Sequence, residues 1–371
     1  MRAFIYSALP VRVIFGRGTV SQVADEVRRL GLNRALVLST PPQADQAGKL
    51  STELGQLSAG VFTHATMHTP VDITEQALQV TQQRNVDCLI ALGGGSTTGL
   101  SKALALRTDL PQIAVPTTYA GSEATPILGQ LERGQKTTLR DLKVLPEVII
   151  YDIDLTLTLP AALSVTSGIN AMAHAAEALY SSDANPVTTQ LALNGFSALV
   201  GALPKIICDP TDGEARSDAL YGAWACGTCL GSVGMALHHK LCHVVAGSFD
   251  LPHAETHAVI LPHALAYNEP VAKEALRPLA KMLGAPTAAQ GLFDLARRLI
   301  APRSLKELGM THEALDLAAD LAVSNTYPNP MPLDRTSIHA LLEDAFEGRP
   351  PRSQANGSRD QGQDQQEIVH A

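Results

Sequence analysis

Four imidazoles fall where they could act together. His239 and His243 are four residues apart, His253 follows ten residues later, and His174 lies upstream, four after Asn170. Residues i and i+4 share one face of a helix, so Asn170 with His174, and His239 with His243, each present a pair. Gathered imidazoles usually hold a divalent metal, and a site of mixed nitrogen and oxygen ligands usually includes a carboxylate. Position 170 offers an amide instead. An amide is a neutral, poorer ligand, so these rings are left to bind protons or donate hydrogen bonds. A lone histidine on an apolar helix is usually a satisfied core residue, but burying rings on successive helices has a cost that calls for a reason. His238, His257 and His263 are expected to be structural or to support the others.

A second chemistry sits in the first half. Gly93, Gly94 and Gly95, followed by Ser96 and Thr97, close an apolar run and open a helix at about Thr98. Glycines let a backbone approach an anion closely, and a helix N-terminus offers free N–H groups to a phosphate. The spacing is not G-x-G-x-x-G, so the usual dinucleotide fingerprint is absent. Thr117, Thr118 and Tyr119 follow the next apolar run and are placed to line the same cleft. Cys226 and Cys229 have no second Cys pair to complete a zinc site, and sit in a run of small residues that reads as a packed helix.

These groups need a scaffold. Val11–Phe15, 35–39, 86–92, 112–116 and 148–152 read as buried strands separated by helical patterns, which means a parallel sheet with helices on both faces. From about residue 158 to 347, helical periodicity runs nearly uninterrupted. The expected organisation is an α/β Rossmann-like domain over 1–157, an all-α catalytic domain over 158–347, and a polar, turn-rich tail over 348–371 that cannot bury enough surface to fold. The chain has 371 residues and a formal charge of −8. Its basic residues are scattered, so no nucleic-acid partner is implied. No signal-peptide core or uninterrupted membrane-length apolar stretch is present, and five cysteines fit a reducing compartment. A soluble, cytoplasmic protein with no membrane partner is the expectation.

The chain resembles the iron-containing alcohol dehydrogenase superfamily almost end to end, excepting the tail. Gly-Gly-Gly-Ser after a strand, Pro-Thr-Thr, the helix position holding Asn170 and His174, and His-x-x-x-His with a third His ten residues on are its signatures. The family's ligands, one Asp and three His, fall on Asn170, His174, His239 and His253, while His243 matches an additional active-site histidine. Two positions depart from the metal-dependent members. Asn170 stands for the ligand Asp, and Gly99 for the Asp that often follows Gly-Gly-Gly-Ser by three residues. Pro-Thr-Thr-Tyr-Ala-Gly-Ser-Glu, His-His-Lys-Leu-Cys-His and Leu-Pro-His-Ala-Glu-Thr-His closely resemble the maleylacetate reductase branch. The resemblance implies a dehydroquinate synthase-like fold, NADH or NADPH as cofactor, no metal, and a homodimer. It implies reduction of 2-maleylacetate to 3-oxoadipate, late in bacterial breakdown of hydroxyquinol, resorcinol-type and chlorinated aromatics. It also turns Lys136 toward the cofactor.

The substitution at 170 suits that chemistry. Hydride added to the alkene carbon β to a ketone makes an enolate, which hydrogen-bond donors can stabilise. A histidine then supplies the proton, and either His243 or His253 is placed for this. The small dicarboxylate calls for guanidinium partners; the candidates are Arg133, Arg140 and Arg335, with Tyr119 at the same cleft. Ser39 ends a strand where many NAD-specific proteins place an acid against the ribose, so both cofactors are expected to serve. Two other readings remain open: a metal-dependent dehydrogenase of a simple alcohol, with water at the lost ligand position, and a non-catalytic nucleotide-binding protein.

Overall fold

Buried apolar runs that alternate with helices build a parallel sheet. The computed structural model describes residues 3–132 and 135–352, and only the backbone of 132, 135 and 136. Strands β1 (Arg12–Gly16), β2 (Ala35–Leu38), β3 (Ser58–Phe62), β4 (Cys88–Gly93), β5 (Gln112–Pro116) and β8 (Val148–Asp152) lie in the order β1-β8-β5-β4-β2-β3. Helices α1 (Val23–Arg29), α2 (Ala44–Leu54), α3 (Val71–Gln83) and α4 (Gly95–Thr108) cover its faces. Strands β4, β5 and β8 are buried along their whole length, as strands packed on both faces must be. β3 was not expected. Ser-Ala-Gly-Val-Phe has no β-branched run, and as an edge strand it is only partly buried. The antiparallel hairpin of β6 (Ile127–Glu132) and β7 (Gln135–Arg140) was also missed.

Register sets the site. Leu92 pairs with Val115 and Gly93 with Pro116. The carboxyl ends of β4 and β5 are therefore level, and the glycine run lies beside Thr117 and Thr118. In open parallel sheets ligands bind at these strand ends.

The rest is helical: α5 (Ala161–Tyr180), α6 (Pro186–Cys208), α7 (Gly213–Ser232), α8 (Leu237–Ser248), α9 (His253–Leu283), α10 (Ala288–Arg298), α11 (Ala314–Val323) and α12 (Arg335–Glu347). Every residue of α5 from Ser164 to Leu179 is buried. Among the described residues, α6 is long and apolar enough to cross a membrane. Its Phe196, Leu199, Leu203 and Ile206 instead pack into the helical core. Cys226 and Cys229 are buried in α7 as small core residues. The two halves touch backbone to backbone where a Cβ on Gly227 would collide with Gly121. Past α12, Arg349 and Arg352 reach Asp344 at 3.4 and 2.6 Å, which holds the start of the expected loose tail against the helix. Residues 353–371 of that tail lie outside those described.

Candidate active site

A cavity of about 440 Å³ lies between the sheet's carboxyl edge and helices α5, α8 and α9. Gly95, Ser96 and Thr118 border it on one side, and Asn170, His174, His239, His243 and His253 on the other. The helix after the glycine run starts at Gly95, not near Thr98. Thr97 N and Thr98 N donate back to Gly94 O at 3.2 and 3.1 Å, so the N–H groups a helix start leaves without an intrahelical partner are those of Gly95 and Ser96, at the cavity wall. Close packing explains the glycines themselves. A Cβ on Gly94 would meet Thr118 Cγ2 at 2.9 Å, and Gly93 O accepts from Thr117 N at 3.0 Å. Gln43 Nε2 donates to Thr117 Oγ1 at 2.8 Å. Ser39 and Thr97 are fully buried behind this edge. Among the described residues, Ser39 Oγ, Thr97 Oγ1 and Ser122 Oγ find no hydrogen-bond partner. Buried polar atoms rarely stay unpaired without a ligand or water nearby.

On the helical side, α5 aligns Asn170, His174 and Glu177. Glu177 is 1% exposed and was not singled out from the sequence. Its position three after His174, on the same face, is the signal that would have found it. Its carboxylate accepts from Ala236 N at 2.9 Å and His238 N at 2.8 Å, so it caps the start of α8, where a negative charge is favourable. The same carboxylate holds His239 Nδ1 at 2.6 Å. That fixes the ring and leaves Nε2 to other partners. Among the described residues, His239 Nε2, His174 Nδ1 and Asn170 Oδ1 are buried without one. Asn170 Nδ2 donates to Ala120 O at 3.4 Å, tying α5 to the loop after β5.

The rings contact one another. His174 stacks on His239 with centroids 5.2 Å apart, and His243 on His253 at 6.5 Å. His257 lies edge-on to His253 at 4.4 Å, and its Nδ1 bonds His238 Nε2 at 2.9 Å. Burial holds His174, His238 and His257 well below the ordinary histidine range, and neighbouring rings lower them further. These three are neutral near pH 7. His263 stands apart on α9, facing Phe293.

Other candidates are placed elsewhere. Tyr119 is fully buried and its hydroxyl accepts from Arg216 at 3.1 Å, so it is packed behind the cavity. Arg140 donates to the carbonyls of Leu230, Gly231 and Val233 and finishes α7. Arg335 pairs with Asp316 and Asp320 on the outer surface, each at 2.7 Å. Neither guanidinium borders the cavity. Arg133 lies outside the described residues. Lys136 is in β7, and its side chain lies outside them too. A lysine missed in the sequence does border the cavity. Lys102 is 2% exposed and donates to Ser122 O, Thr125 O and Ile127 O at 2.6, 2.6 and 2.9 Å. Burial lowers its pKa to about 7, opposed by nearby Glu123.

The positions of a metal set can be tested against these observations. Asn170 offers an amide oxygen, and His174, His239 and His253 offer imidazoles. No charge on these four balances a divalent ion, and position 170 lacks the acid that mixed nitrogen and oxygen sites usually supply. With an amide at 170, the residues present do not fit the iron-type ligand set. His238, Cys242 and His257 bring their ligand atoms within 4.8 Å of one another, but His238 and His257 spend those nitrogens on each other.

Comparisons with known proteins agree with this geometry. Residues 10–153 match the model of iron-containing alcohol dehydrogenases, and 164–346 that of the C-terminal part of the same family. A maleylacetate reductase from Rhizobium sp. is 57% identical over 351 residues, covering 95% of this chain and 100% of that one. One from Burkholderia cepacia is 52% identical over the same share of both chains. The crystal structure of maleylacetate reductase from Agrobacterium tumefaciens superposes with a TM-score of 0.90 at 57% identity, covering 95% of this chain and 100% of that one. The chain belongs to the iron-containing alcohol dehydrogenase family.

Proposed function

We propose that the chain reduces maleylacetate to 3-oxoadipate with NADH or NADPH and without a metal ion. One observation carries the reading: a single cavity joins the glycine edge of the sheet to a set of imidazoles whose fourth member is an amide. In maleylacetate the alkene is conjugated to a ketone. Hydride from the nicotinamide adds to the alkene carbon β to that ketone. The alkene electron pair moves toward the carbonyl, leaving an enolate with its charge largely on oxygen. A proton then bonds to the α carbon, giving 3-oxoadipate and the oxidised cofactor.

The residues divide accordingly. Gly93, Gly94, Gly95, Ser96 and Thr97 at the start of α4, with Thr117, Thr118 and Ser39, hold the cofactor; the helix N-terminus takes its phosphates. Lys136 is assigned to the cofactor as well. His239, steadied by Glu177, directs Nε2 to the enolate oxygen. Asn170 and His174 orient the substrate, and His174, kept neutral by burial, acts by hydrogen bonding. The proton comes from His243 or His253. An amide at 170 also spares a dianionic substrate the repulsion of a carboxylate. The step belongs late in bacterial degradation of hydroxyquinol, resorcinol-type and chlorinated aromatics.

NADH absorbance should fall when freshly generated maleylacetate is added, and short alcohols should not be oxidised. No turnover of maleylacetate would defeat the reading. One observation favours a second: a carboxylate behind an imidazole, as Glu177 stands behind His239, is also how metal-bound histidines are held. Ethanol oxidation that depends on added iron or zinc would select that alternative. The active form is proposed to be a homodimer. Its support is the exposed apolar run Phe4, Ile5 and Tyr6 next to edge strand β1, and sedimentation at the monomer mass would exclude it.

A further inference from the structure

His257 stands one turn beyond His253 on α9, is 1% exposed, and borders the cavity. Its two ring nitrogens differ. Nδ1 lies 2.9 Å from His238 Nε2. Nε2 is buried and, among the described residues, has no hydrogen-bond partner. His239 repeats the arrangement. Its Nδ1 meets Glu177 Oε2 at 2.6 Å, and its Nε2 is likewise buried without a partner among the described residues. One turn supports both rings, because Glu177 Oε1 also accepts from His238 N at 2.8 Å. Two such nitrogens on rings that border one cavity mark a place for a ligand atom. Two donors to one oxygen, each at the ordinary ~2.9 Å, lie no more than about 5.8 Å apart. The ring centroids of His239 and His257 are 5.4 Å apart, a spacing that suits a shared oxygen.

The partner behind each ring decides what its Nε2 can give. A neutral imidazole carries one proton, so one nitrogen donates and the other accepts, whereas a carboxylate only accepts. Glu177 therefore draws the His239 proton to Nδ1, and Nε2 of that ring donates only when the ring is charged. His257 faces an imidazole instead. With the His238 proton on Nε2, that nitrogen donates to His257 Nδ1. The His257 proton is then left on Nε2, and the ring donates without carrying charge. A neutral imidazole is able to polarise a carbonyl in this way. Burial holds His257 well below the ordinary histidine range, and neighbouring rings lower it further, in keeping with a neutral donor.

We propose that His257 Nε2–H donates to the ketone oxygen of the substrate and stabilises the enolate beside His239, and that His238 positions this donor by fixing where its proton sits. This rests on the reading of the chain as a maleylacetate reductase. Three variants divide the roles. His257→Asn keeps a polar atom near the place of Nδ1 for His238 and removes the donor at Nε2. His257→Gln reaches further and restores an N–H there. His238→Asn withdraws the ring that sets the tautomer. kcat for maleylacetate should fall about 10²- to 10³-fold in His257→Asn, the usual loss for one oxyanion donor, and less in His238→Asn. His257→Gln should recover most of it. KM for NADH should hold in all three, and thermal melts check that they fold. The lost contact acts on hydride transfer, so that step becomes limiting. NADH deuterated at the transferred position should therefore slow His257→Asn by a larger factor than it slows wild type. Independently of any variant, ¹⁵N imidazole NMR of the wild type should place the His257 proton on Nε2. A wild-type kcat in folded His257→Asn, equal losses in His257→Asn and His257→Gln, or a His257 proton on Nδ1 would overturn the proposal. A wild type that leaves maleylacetate unreduced would reject the substrate reading, while the NMR tautomer would still report on the His257 donor by itself.

Discussion

Asn170 is where one atom changes the chemistry. Exchanging its amide nitrogen for oxygen restores an anionic ligand beside three imidazoles. Asn170→Asp should therefore gain affinity for a divalent ion, read by calorimetry with zinc, and lose most of its reductase rate. Unchanged metal affinity and rate would make Asn170 incidental. His243→Asn and His253→Asn separate the proton donor from its neighbour. The donor's loss should lower kcat about 10²- to 10⁴-fold with little change in KM for NADH, while the other variant loses less. Equal, small losses in both would remove histidine from the protonation step. These histidines were legible in the sequence because helix spacing pairs them. Glu177 and Lys102 were not, since each is a single polar residue whose role comes from partners far along the chain. The arginine candidates show the converse limit. A guanidinium is easily found in a sequence, but Arg140 is used to finish a helix and Arg335 to bind surface acids.

At the scale of elements, the loop after β5 is held to α4 by Lys102. Removing that ammonium takes a donor from three carbonyls; Ser122 O keeps Thr125 N and Thr125 Oγ1 as donors, while Thr125 O and Ile127 O lose theirs. Lys102→Met should cost about 2 to 6 kcal/mol, at 1–3 for each of the two acceptors left unsatisfied, measured by urea unfolding. KM for NADH should rise with it, because Thr118 and Ser122 sit on the same loop. A variant of wild-type stability would show the carbonyls find other partners. Of the five strands read from sequence, β2, β4, β5 and β8 are apolar and buried along their length, and β1, a partly exposed edge strand, was legible by its β-branched Val13 and Ile14. β3, the other edge strand, escaped because Ser-Ala-Gly-Val-Phe has one β-branched residue and a glycine at its centre. The β6–β7 hairpin escaped because its residues pack against α4 and not into the sheet. The start of α4 was read three residues late because glycines, poor helix formers, are retained there for close approach to Thr118.

For the whole molecule, interior imidazoles make stability depend on pH. Burial pushes His263 down to about 4 from an ordinary 6.5. The unfolded chain takes up this proton below about 6.5, the folded one only below about 4. The contribution is thus fully present above 6.5 and lost as pH falls toward 4, by about 3 kcal/mol at 1.36 per pH unit. His174, His238 and His257 shift in the same direction. Urea midpoints should therefore drop steeply between pH 6.5 and 4.5, and His263→Leu should flatten part of that slope. A flat wild-type profile would mean these rings are solvated in the folded protein. The proposed chemistry rests on the same interior: the rings that border the cavity, without a resident cation, would meet the charge that forms on the substrate. The direct measurement is the rate of NADH oxidation by maleylacetate after exhaustive dialysis against EDTA, with metal content determined on the same sample. An undiminished rate at far less than one ion per chain is expected. A rate that collapses on chelation and returns with iron or zinc would contradict it.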